Sequence, residues 1–328
     1  MQYSTLETHS VLILIPVFND WEALELLLTQ LDKTLYNSNL KVNILVVDDA
    51  SSVPLYDGFM SSDMSAINKI EILELRRNVG HQRAIAIGLA YIESNISCEA
   101  IVVMDGDGED TPKDVLRLIE ECQNQGYEKV VFARRGKRSE TWIFKLFYFF
   151  YKGLYKLLTG HNIRVGNFSI IPHKILRRLV VVSELWNHYA VALLKSKVPY
   201  TEIYTKRGNR LAGQPKMNFV SLATHGLSAI SVYGDVVGIR LLVATVSIII
   251  LTLIATSAVI IIRITTDLAI PGWTSYIVVL FFIIMMQAVM LSLFFSFLVL
   301  NGRNNLGFLP KRDYNYFVLG IREVFSKL

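Results

Sequence analysis

Cysteine and charge are both scarce in this sequence. Only two of its 328 residues are cysteines, Cys98 and Cys122, and their spacing matches neither a metal site nor a disulfide framework. We therefore expect both to pack as apolar side chains in a reducing compartment. Charged residues make up 19% of the chain and hydrophobic residues 52%, with a mean hydropathy of +0.39. This composition argues against an ordinary soluble enzyme and indicates a membrane protein.

Signals for nucleic acid binding and for secretion are also missing. No basic run with interleaved aromatic residues occurs, so the net charge of +5 fits contact with anionic membrane lipid better than with nucleic acid. The opening "MQYSTLETHS" has no lysine or arginine, and the apolar "VLILIPVF" that follows is too short for a signal core. We therefore expect no cleavable signal and a first domain that stays in the cytosol.

Long apolar runs occur near the C-terminal end. Residues 241–262 and 273–300 carry no charge, and each run is long enough, at about 1.5 Å per residue, to cross a hydrocarbon core of roughly 30 Å. Pro271 and Gly272 suit the turn between them. The pattern predicts a two-helix transmembrane hairpin, and the alternative is a pair of buried core helices.

Basic residues flank this hairpin on one side of the membrane. The connecting loop carries only Arg263 and Asp267 as charged residues, whereas lysine and arginine cluster before and after the runs. By the positive-inside rule, we predict a multi-pass protein of the cell (inner) membrane, with the soluble domain and both termini in the cytosol. The clustered residues are Lys195, Lys197, Lys206, Arg207, Arg210, Lys216, Arg303, Lys311 and Arg312.

The first part of the chain alternates between two kinds of segment. Apolar, β-branched runs predict strands at residues 11–17, 41–49, 69–75, 100–105 and 129–133. Between them, "DWEALELLLTQLDKTL", "HQRAIAIGLAYIES" and "TPKDVLRLIEECQNQG" have helical spacing. The order predicts an α/β fold with a Rossmann-like, mostly parallel sheet, whose strands end in acids and arginines where ligands bind. The aromatic "TWIFKLFYFFYKGLYKLLTG" then predicts a helix in the membrane interface, or else one buried in the domain.

Carboxylates follow the fourth predicted strand in "MDGDGED". A calcium loop is rejected, because Asp110 stands where the turn needs glycine and Leu116 where a bidentate glutamate belongs. Asp110 is expected to cap the helix that begins near Pro112. Asp105 and Asp107, facing arginines at strand ends, suit a divalent cation that bridges the protein to a diphosphate and acts as a Lewis acid.

Five motifs together resemble one enzyme family. "PVFND", "VVDDAS", "NVGHQRAIAIGL", "MDGDGED" and "RLAGQPK" resemble the inverting glycosyltransferases with a GT-A fold, in particular the polyprenyl-phosphate sugar synthases, which are relatives of dolichol-phosphate mannose synthase with two C-terminal spans. The match extends to about residue 300. It implies a nucleotide-sugar-binding and catalytic core at 1–140, interface helices with the acceptor-binding part at 141–235, a transmembrane hairpin at 236–300, and a cytosolic tail at 301–328.

The resemblance also assigns roles to individual residues. Donor binding falls to Pro16, Phe18, Asp20, Asp48, Asp49, Arg76, Gly80 and Asp105, for which the alternative is a solvated loop. Metal binding falls to Asp107 and Glu109, and catalysis to Asp105, Asp107, Arg134, Arg210 and Lys216, with Gly213 in the same basic loop. Lipid headgroup contact is the alternative for Arg210 and Lys216. His81 is expected to pack or cap a helix rather than contact donor phosphate.

Some positions depart from the family pattern. Asp20 replaces Glu, Glu109 replaces Gln, Thr111 and Pro215 replace Pro and Ser, and Asn167 stands where many relatives have Asp. Without that carboxylate, a hydroxyl acceptor would lack a base. A lipid monophosphate, with a second pKa of about 6, needs none because it is already mostly dianionic at neutral pH.

The expected activity is transfer of a sugar from a nucleoside diphosphate sugar, with a UDP-sugar favoured, to polyprenyl (undecaprenyl) phosphate. The resemblance implies inversion, dependence on Mg²⁺ or Mn²⁺, and a homo-oligomer, a tetramer in relatives. One alternative is a membrane-bound glycosyltransferase whose acceptor is a saccharide or another lipid hydroxyl. A second alternative is a binding or scaffold protein that keeps the fold without turnover.

Overall fold

The structure is a computed structural model that describes residues 10–38, 40–60, 64–135, 142–162, 165–213, 219–266, 272–304 and 307–327. The strands are β1 (Ser10–Val17), β2 (Lys41–Asp48), β3 (Ile67–Leu75), β4 (Ala100–Val103), β5 (Val130–Arg135), β6 (Ser169–Pro172), β7 (Tyr200–Thr205) and β8 (Val318–Ser326). The helices are α1 (Trp21–Leu35), α2 (His81–Asn95), α3 (Pro112–Asn124), α4 (Trp142–Thr159), α5 (His173–Leu179), α6 (Tyr189–Lys195), α7 (Phe219–Ser231), α8 (Gly234–Thr265), α9 (Trp273–Asn304) and α10 (Pro310–Asp313).

The strands form one mixed sheet in the order β7-β5-β6-β4-β1-β2-β3-β8. β1 pairs in parallel with β2 and β4, β2 with β3, and β5 with β7. β6 runs antiparallel to both of its neighbours, β4 and β5, so those two strands point the same way. The predicted α/β class with a mostly parallel sheet is confirmed, and so are the five strands expected in the first part of the chain.

Helices cover both faces of the central strands. Leu12 and Leu14 of β1 pack into one buried cluster with α2, while Ile13 and Ile15 pack into another with α1 and α3. Burial on both faces explains why β1 is a continuous apolar run. A Cβ atom at Gly88 of α2 would overlap with the Leu14 side chain, so this helix approaches the sheet closely. The strand ends are therefore held by a rigid core.

The two cysteines belong to this core, as expected. Cys98 is 6% exposed and Cys122 is fully buried. Burial raises the pKa of each thiol to about 12, so both stay protonated at neutral pH.

The segment after α9 returns to the sheet. β8 pairs antiparallel with β3, and the backbone N–H of Lys327 donates to the Asn68 carbonyl at 2.8 Å. Sequence patterning treated residues 301–328 as a tail because β8 is half exposed and carries charges. As an edge strand, however, β8 covers the otherwise open side of β3.

The chain divides into two compact units. The first contains Met1–Leu146, Ile163–Val232 and Gly307–Leu328, and the second contains Phe147–Asn162 and Tyr233–Leu306. These bounds differ from the division expected from the sequence, since part of the interface and acceptor segment and the C-terminal residues belong with the sheet. The functional boundaries of the domains therefore stay predictions.

The second unit contains two helices, α8 and α9, that are long and apolar enough to cross a membrane. Most of their apolar side chains are exposed, which is the opposite of what a pair of core helices would show. In α4, the exposed apolar residues Phe149, Phe150, Leu154 and Leu157 accompany exposed Lys152 and Lys156. This surface is typical of a membrane protein and favours the interface interpretation of α4 over a buried helix.

Small residues bring α8 and α9 together. The hydroxyl groups of Thr245 and Ser292 lie 2.7 Å apart across the hairpin. At Gly238, which is buried, a Cβ atom would overlap with the Val299 side chain. Close approach at a glycine is a usual way for membrane helices to pack.

Gly238→Val is therefore expected to lower the free energy of unfolding by about 2 kcal/mol, because the added side chain forces the two helices apart. The measurement is the thermal unfolding midpoint in detergent. Gly153→Val is the matched control: Gly153 also lies within a helix of this unit, and a Cβ atom added there would meet no described atom within 4 Å. Equal midpoints for the two variants would contradict the packing role of Gly238.

Candidate active site

The carboxyl ends of β1, β2, β4 and β5 lie along one edge of the sheet, here called the rim. It consists of residues 18–20 after β1, 48–49 at the end of β2, 105–110 after β4, and Arg134 near the end of β5. Because β6 runs in the opposite direction, its start is at the same edge, and Asn167 comes two residues before it. Ligands of such sheets bind at this edge.

The turn after β1 is tied to the loop after β2. Asn19, at φ 54°, donates its backbone N–H to the Ser51 hydroxyl at 2.9 Å, and its side-chain oxygen accepts from Val53 N at 2.8 Å. Asp48 accepts from Ser51 N at 2.9 Å. Phe18 is 40% exposed beside these contacts. The two turns thus form one polar surface with an exposed aromatic ring. Asn19 and Ser51 both lie in recognised motifs, but the sequence did not predict the hydrogen bond between them because they are 32 residues apart along the chain.

Two further residues predicted to bind donor occupy this region. Pro16 lies inside β1, paired with Val47 of β2, and Asp20 precedes α1. The structure brings Asp20, Phe18 and Asp48 to the same part of the rim, while Pro16 lies within the strand itself.

Asp49 turns away from this surface. Its carboxylate is 3% exposed and accepts from the backbone N–H groups of Val79 and Gly80, at 2.7 and 2.9 Å. Burial raises the pKa of Asp49, and the two backbone hydrogen bonds oppose that rise. In this structure Asp49 and Gly80, which has φ 89°, hold the loop that leads into α2. Their predicted donor contacts stay predictions.

Asp49→Ala is expected to lower the free energy of unfolding by about 2 kcal/mol, because it leaves two backbone donors without their acceptor. Chemical or thermal unfolding of the purified protein measures this change. Asp57→Ala at an exposed loop position is the control. If both variants unfolded alike, the anchoring role of Asp49 would be wrong.

The loop after β4 is held by its own carboxylates. Asp110 is 1% exposed and accepts from the backbone N–H of Asp105 at 3.0 Å, while Asp107 accepts from Glu109 N at 3.0 Å. Asp110 was expected to cap α3, but that interpretation is wrong: Thr111 is the N-cap, and its hydroxyl accepts from the backbone N–H of the third residue of the helix. Asp110 instead closes the loop that presents Asp105 and Asp107.

A basic segment after β7 lies over this loop. Arg210 bridges two acids: one guanidinium nitrogen contacts Asp20, and another donates to Asp107 at 3.1 Å. Arg207 pairs with Glu109. All three acids are mostly buried, with 19–23% of the side chain exposed. The structure therefore brings the predicted metal ligands and Arg210 together.

Backbone contacts fix the same segment. Gly208 N donates to the Glu109 carbonyl at 2.8 Å, and Leu211 N donates to the Asp107 carbonyl at 3.0 Å. A Cβ at Gly213 would lie 3.6 Å from the Asp20 carboxylate, so this residue too is near the acids. Lys216, predicted to act with Arg210, lies outside the described residues.

Two other predicted arginines have different contacts. Arg134 donates to Glu202 at 3.2 Å and lies 5.1 Å from the Tyr204 ring centroid, on the β7 side of the rim. Arg76 donates to the Val318 carbonyl at 2.9 Å, in the C-terminal segment. The structure gives Arg76 a structural partner and does not bring it to the acids after β4.

His81 has a more polar environment than expected. Its Nε2 lies 3.1 Å from Asp105 Oδ1 and 3.1 Å from Asn167 Nδ2. Burial lowers the pKa of His81, but the carboxylates of Asp105, Asp107 and Asp110 raise it by more, so the net pKa is above the ordinary value. The sequence favoured a packed or capping histidine, whereas the structure places this one at the rim.

The acids at the rim can be compared with what a metal ion requires. Within the residues that the structure describes, no group of three or more histidine, cysteine or carboxylate side chains is already arranged to hold a metal ion. Asp107 and Glu109 nevertheless supply hard oxygen ligands, and each already faces a cationic group. One or two protein carboxylates suffice for Mg²⁺ when diphosphate oxygens complete its shell, so these residues fit a metal carried with its substrate.

Comparison with known proteins gives consistent matches. The family model described as Glycosyl transferase family 2 matches residues 12–186. An uncharacterised glycosyltransferase of Synechocystis sp. is 25% identical over 295 residues, covering 87% of this chain and 89% of the relative. The undecaprenyl-phosphate 4-deoxy-4-formamido-L-arabinose transferase of Edwardsiella ictaluri is 24% identical over 249 residues, covering 70% and 73%. Glucosyl-3-phosphoglycerate synthase of Mycobacterium tuberculosis superposes with a TM-score of 0.48 at 12% identity, covering 70% and 80%.

Proposed function

This chain belongs to glycosyl transferase family 2, and from that premise we propose that it transfers a sugar from a nucleoside diphosphate sugar to polyprenyl phosphate, with inversion. The family match confirms the resemblance drawn from the motifs and identifies the chain as a glycosyltransferase. The donor we favour is a UDP-sugar and the acceptor undecaprenyl phosphate. Support for the acceptor comes from relatives that are named for transfer to undecaprenyl phosphate.

The observation that carries the proposal is the bridge of Arg210 between Asp20 and Asp107. It joins the ends of β1 and β4 with the segment after β7. Carboxylates that can bind a cation and a guanidinium that can bind phosphate therefore lie in one site. We assign donor binding to the surface around Phe18 and Asp48, where the ring and the carboxylate are open to a nucleotide.

Asp107 and Glu109 would hold Mg²⁺ or Mn²⁺ in this proposal, together with oxygens of the donor diphosphate. The chemistry that such a cation supplies is neutralisation of charge on the leaving diphosphate. Arg207 and Arg210 balance the same acids and contribute positive charge toward the phosphates.

The bond changes in the proposed reaction are simple. An oxygen of the acceptor phosphate forms a bond to the anomeric carbon while the bond from that carbon to the diphosphate breaks, and the nucleoside diphosphate leaves with the electron pair. Because the acceptor is mostly dianionic at neutral pH, no proton has to be removed from it. The task of Arg134 and Arg210 is then to screen and position two anions, with Lys216 retained as a prediction.

The membrane location follows from the acceptor and from the two apolar helices. We propose that α8 and α9 span the cell membrane and that the basic residues around them keep the catalytic unit and both termini in the cytosol. A polyprenyl phosphate is available only at a membrane, so this anchoring would supply the enzyme with substrate. Assembly into a homo-oligomer stays a prediction.

The test is incubation of the purified full chain with Mg²⁺ or Mn²⁺, a panel of nucleotide sugars and undecaprenyl phosphate, followed by mass spectrometry of the lipid fraction. The expected product is the lipid phosphate with one added sugar, formed only when metal is present. Transfer only to lipid hydroxyl or saccharide acceptors would favour the alternative glycosyltransferase function. No transfer from any donor, by protein that is folded and binds nucleotide, would support a scaffold role.

A further inference from the structure

A line of amide groups connects the buried backbone with the rim. The backbone N–H of Tyr189 donates to the side-chain oxygen of Gln82 at 2.7 Å, and the Gln82 NH₂ group donates to the side-chain oxygen of Asn167 at 3.2 Å. A backbone N–H can only donate, so it fixes which end of Gln82 faces it. Gln82 in turn fixes Asn167. The Asn167 oxygen therefore points inward, and its NH₂ group points to the rim.

This arrangement is held from several sides. Tyr189 is fully buried, and its hydroxyl lies 2.6 Å from the Ser169 hydroxyl. Ser169 donates to the Asn167 carbonyl at 2.9 Å, so the main chain of Asn167 is fixed as well as its side chain. Gln82 is 9% exposed. An amide flip would place two donors or two acceptors together inside the protein, where unsatisfied polar groups are costly.

The Asn167 NH₂ group lies at the rim, between the end of β4 and the end of β5. Asn167 precedes β6, which lies between β4 and β5, so it stands between the end carrying Asp105 and the end carrying Arg134. Its nitrogen is 3.1 Å from Nε2 of His81, which is also 3.1 Å from Asp105. The NH₂ group has two hydrogens, so its contact with Nε2 of His81 uses at most one of them and leaves the other for a ligand.

We propose that the Asn167 NH₂ group donates a hydrogen bond to a phosphate oxygen of the acceptor, and that Gln82 is the positioning residue that sets this polarity. The inference rests on the proposed function and narrows its acceptor. The donor nucleotide is assigned to the part of the rim formed by β1 and β2. The Asn167 NH₂ group, which lies between β4 and β5, is therefore assigned to the acceptor. A phosphate oxygen accepts from NH₂, whereas a hydroxyl acceptor needs a group that takes its proton, which a fixed NH₂ cannot do.

Gln82→Glu tests which end of the Asn167 amide must face the rim. One carboxylate oxygen still accepts from Tyr189 N, and the other replaces the NH₂ group, so Asn167 has to rotate and present its oxygen to the rim. We expect the KM for undecaprenyl phosphate to rise roughly 10- to 100-fold, the range for loss of a hydrogen bond to a charged group. The KM for the nucleotide sugar is expected to stay within about twofold.

Two further variants complete this test. Asn167→Asp puts a carboxylate at the rim without changing Gln82, and we expect it to weaken acceptor use at least as much. Position 167 is half exposed, so we expect this variant to fold. It therefore tests the role of Asn167 even if a charge at position 82 prevents folding. Gln30→Glu makes the same change of charge on the exposed side of α1 and is expected to leave every parameter unchanged.

A measurement of lipid phosphate binding in the absence of nucleotide sugar tests this inference separately from the proposed function. Farnesyl phosphate is the probe, and farnesol, which lacks the phosphate, is its control ligand. The expected result is roughly tenfold weaker farnesyl phosphate binding by Gln82→Glu and Asn167→Asp, with unchanged binding of farnesol and of nucleoside diphosphate.

The outcomes are distinct. If both variants bind farnesyl phosphate and use undecaprenyl phosphate as the wild type does, the role of Asn167 is wrong even though the enzyme transfers sugar. If the wild type shows the expected binding pattern but transfers no sugar, the proposed function is wrong and the binding role stands. A strong gain in transfer by Asn167→Asp, seen with a hydroxyl acceptor, would overturn both.

Discussion

Asp107→Asn is expected to reduce the rate of sugar transfer roughly 10²- to 10³-fold while the protein stays folded and inserted in the membrane. Asparagine has the same size, and its oxygen can still accept from Glu109 N, so the loop after β4 keeps its internal hydrogen bond. The negative charge, however, is lost. Without it the site holds neither Arg210 nor a divalent cation as firmly, and the charge on the leaving diphosphate is less well neutralised.

The measurement is the single-turnover rate at saturating donor, with Mg²⁺ or Mn²⁺ titrated in both proteins. The variant is expected to need much more metal for half its maximal rate. Asp57→Asn, at an exposed position that is not one of the rim residues, is the control and should behave as the wild type does. Near-full rates and an unchanged metal requirement in Asp107→Asn would remove Asp107 from the metal site.

Arg210→Ala is expected to lower kcat/KM roughly 10²-fold, the second large effect. Its guanidinium contacts Asp20 and Asp107 and donates to the Ala212 carbonyl at 2.9 Å. Removal leaves two carboxylates close together with no shared counter-charge and takes positive charge from the place where two phosphate substrates meet. Repulsion between these anions then opposes the reaction.

Arg210→Lys separates the charge from the geometry. A lysine ammonium keeps the positive charge but cannot match the planar fork of arginine, so we expect an intermediate loss of about tenfold. Arg178→Ala, on the exposed side of α5, is the control. If Arg210→Ala and Arg210→Lys kept wild-type kcat/KM for both substrates, the bridge would have no part in transfer and lipid headgroup contact would be the better assignment.

The sequence predicted much of the sheet because its central strands are buried on both faces. Residues such as Ile13 and Val46 continue unbroken apolar runs, and these are easily recognised. The later strands lack that signal. β6 has only four residues, β7 is half exposed, and β8 lies at an edge, so their positions depend on long-range pairing that local patterns do not encode.

The candidate site was predictable as a set of residues but not as a set of contacts. Asp107 and Asp20 stood out in motifs, yet they meet Arg210 from 103 and 190 residues away along the chain. Gln82 lies in one of the five motifs but was given no role, and Tyr189 lies in none, because the importance of both comes from the hydrogen bonds they make after folding. Asp49 illustrates the reverse: its motif suggested ligand contact, while the structure shows it bonded to the backbone of the next loop.

The central claim is that the sugar goes to a phosphate oxygen. The most direct measurement offers the enzyme, with metal and radiolabelled nucleotide sugar, equal amounts of undecaprenyl phosphate and undecaprenol in one reaction. The account predicts that all lipid label is in a sugar phosphodiester that mild acid cleaves, and that the anomeric configuration of the intact phosphodiester is opposite to that of the donor. Label in a glycoside of undecaprenol, or a product that retains the donor configuration, would contradict it.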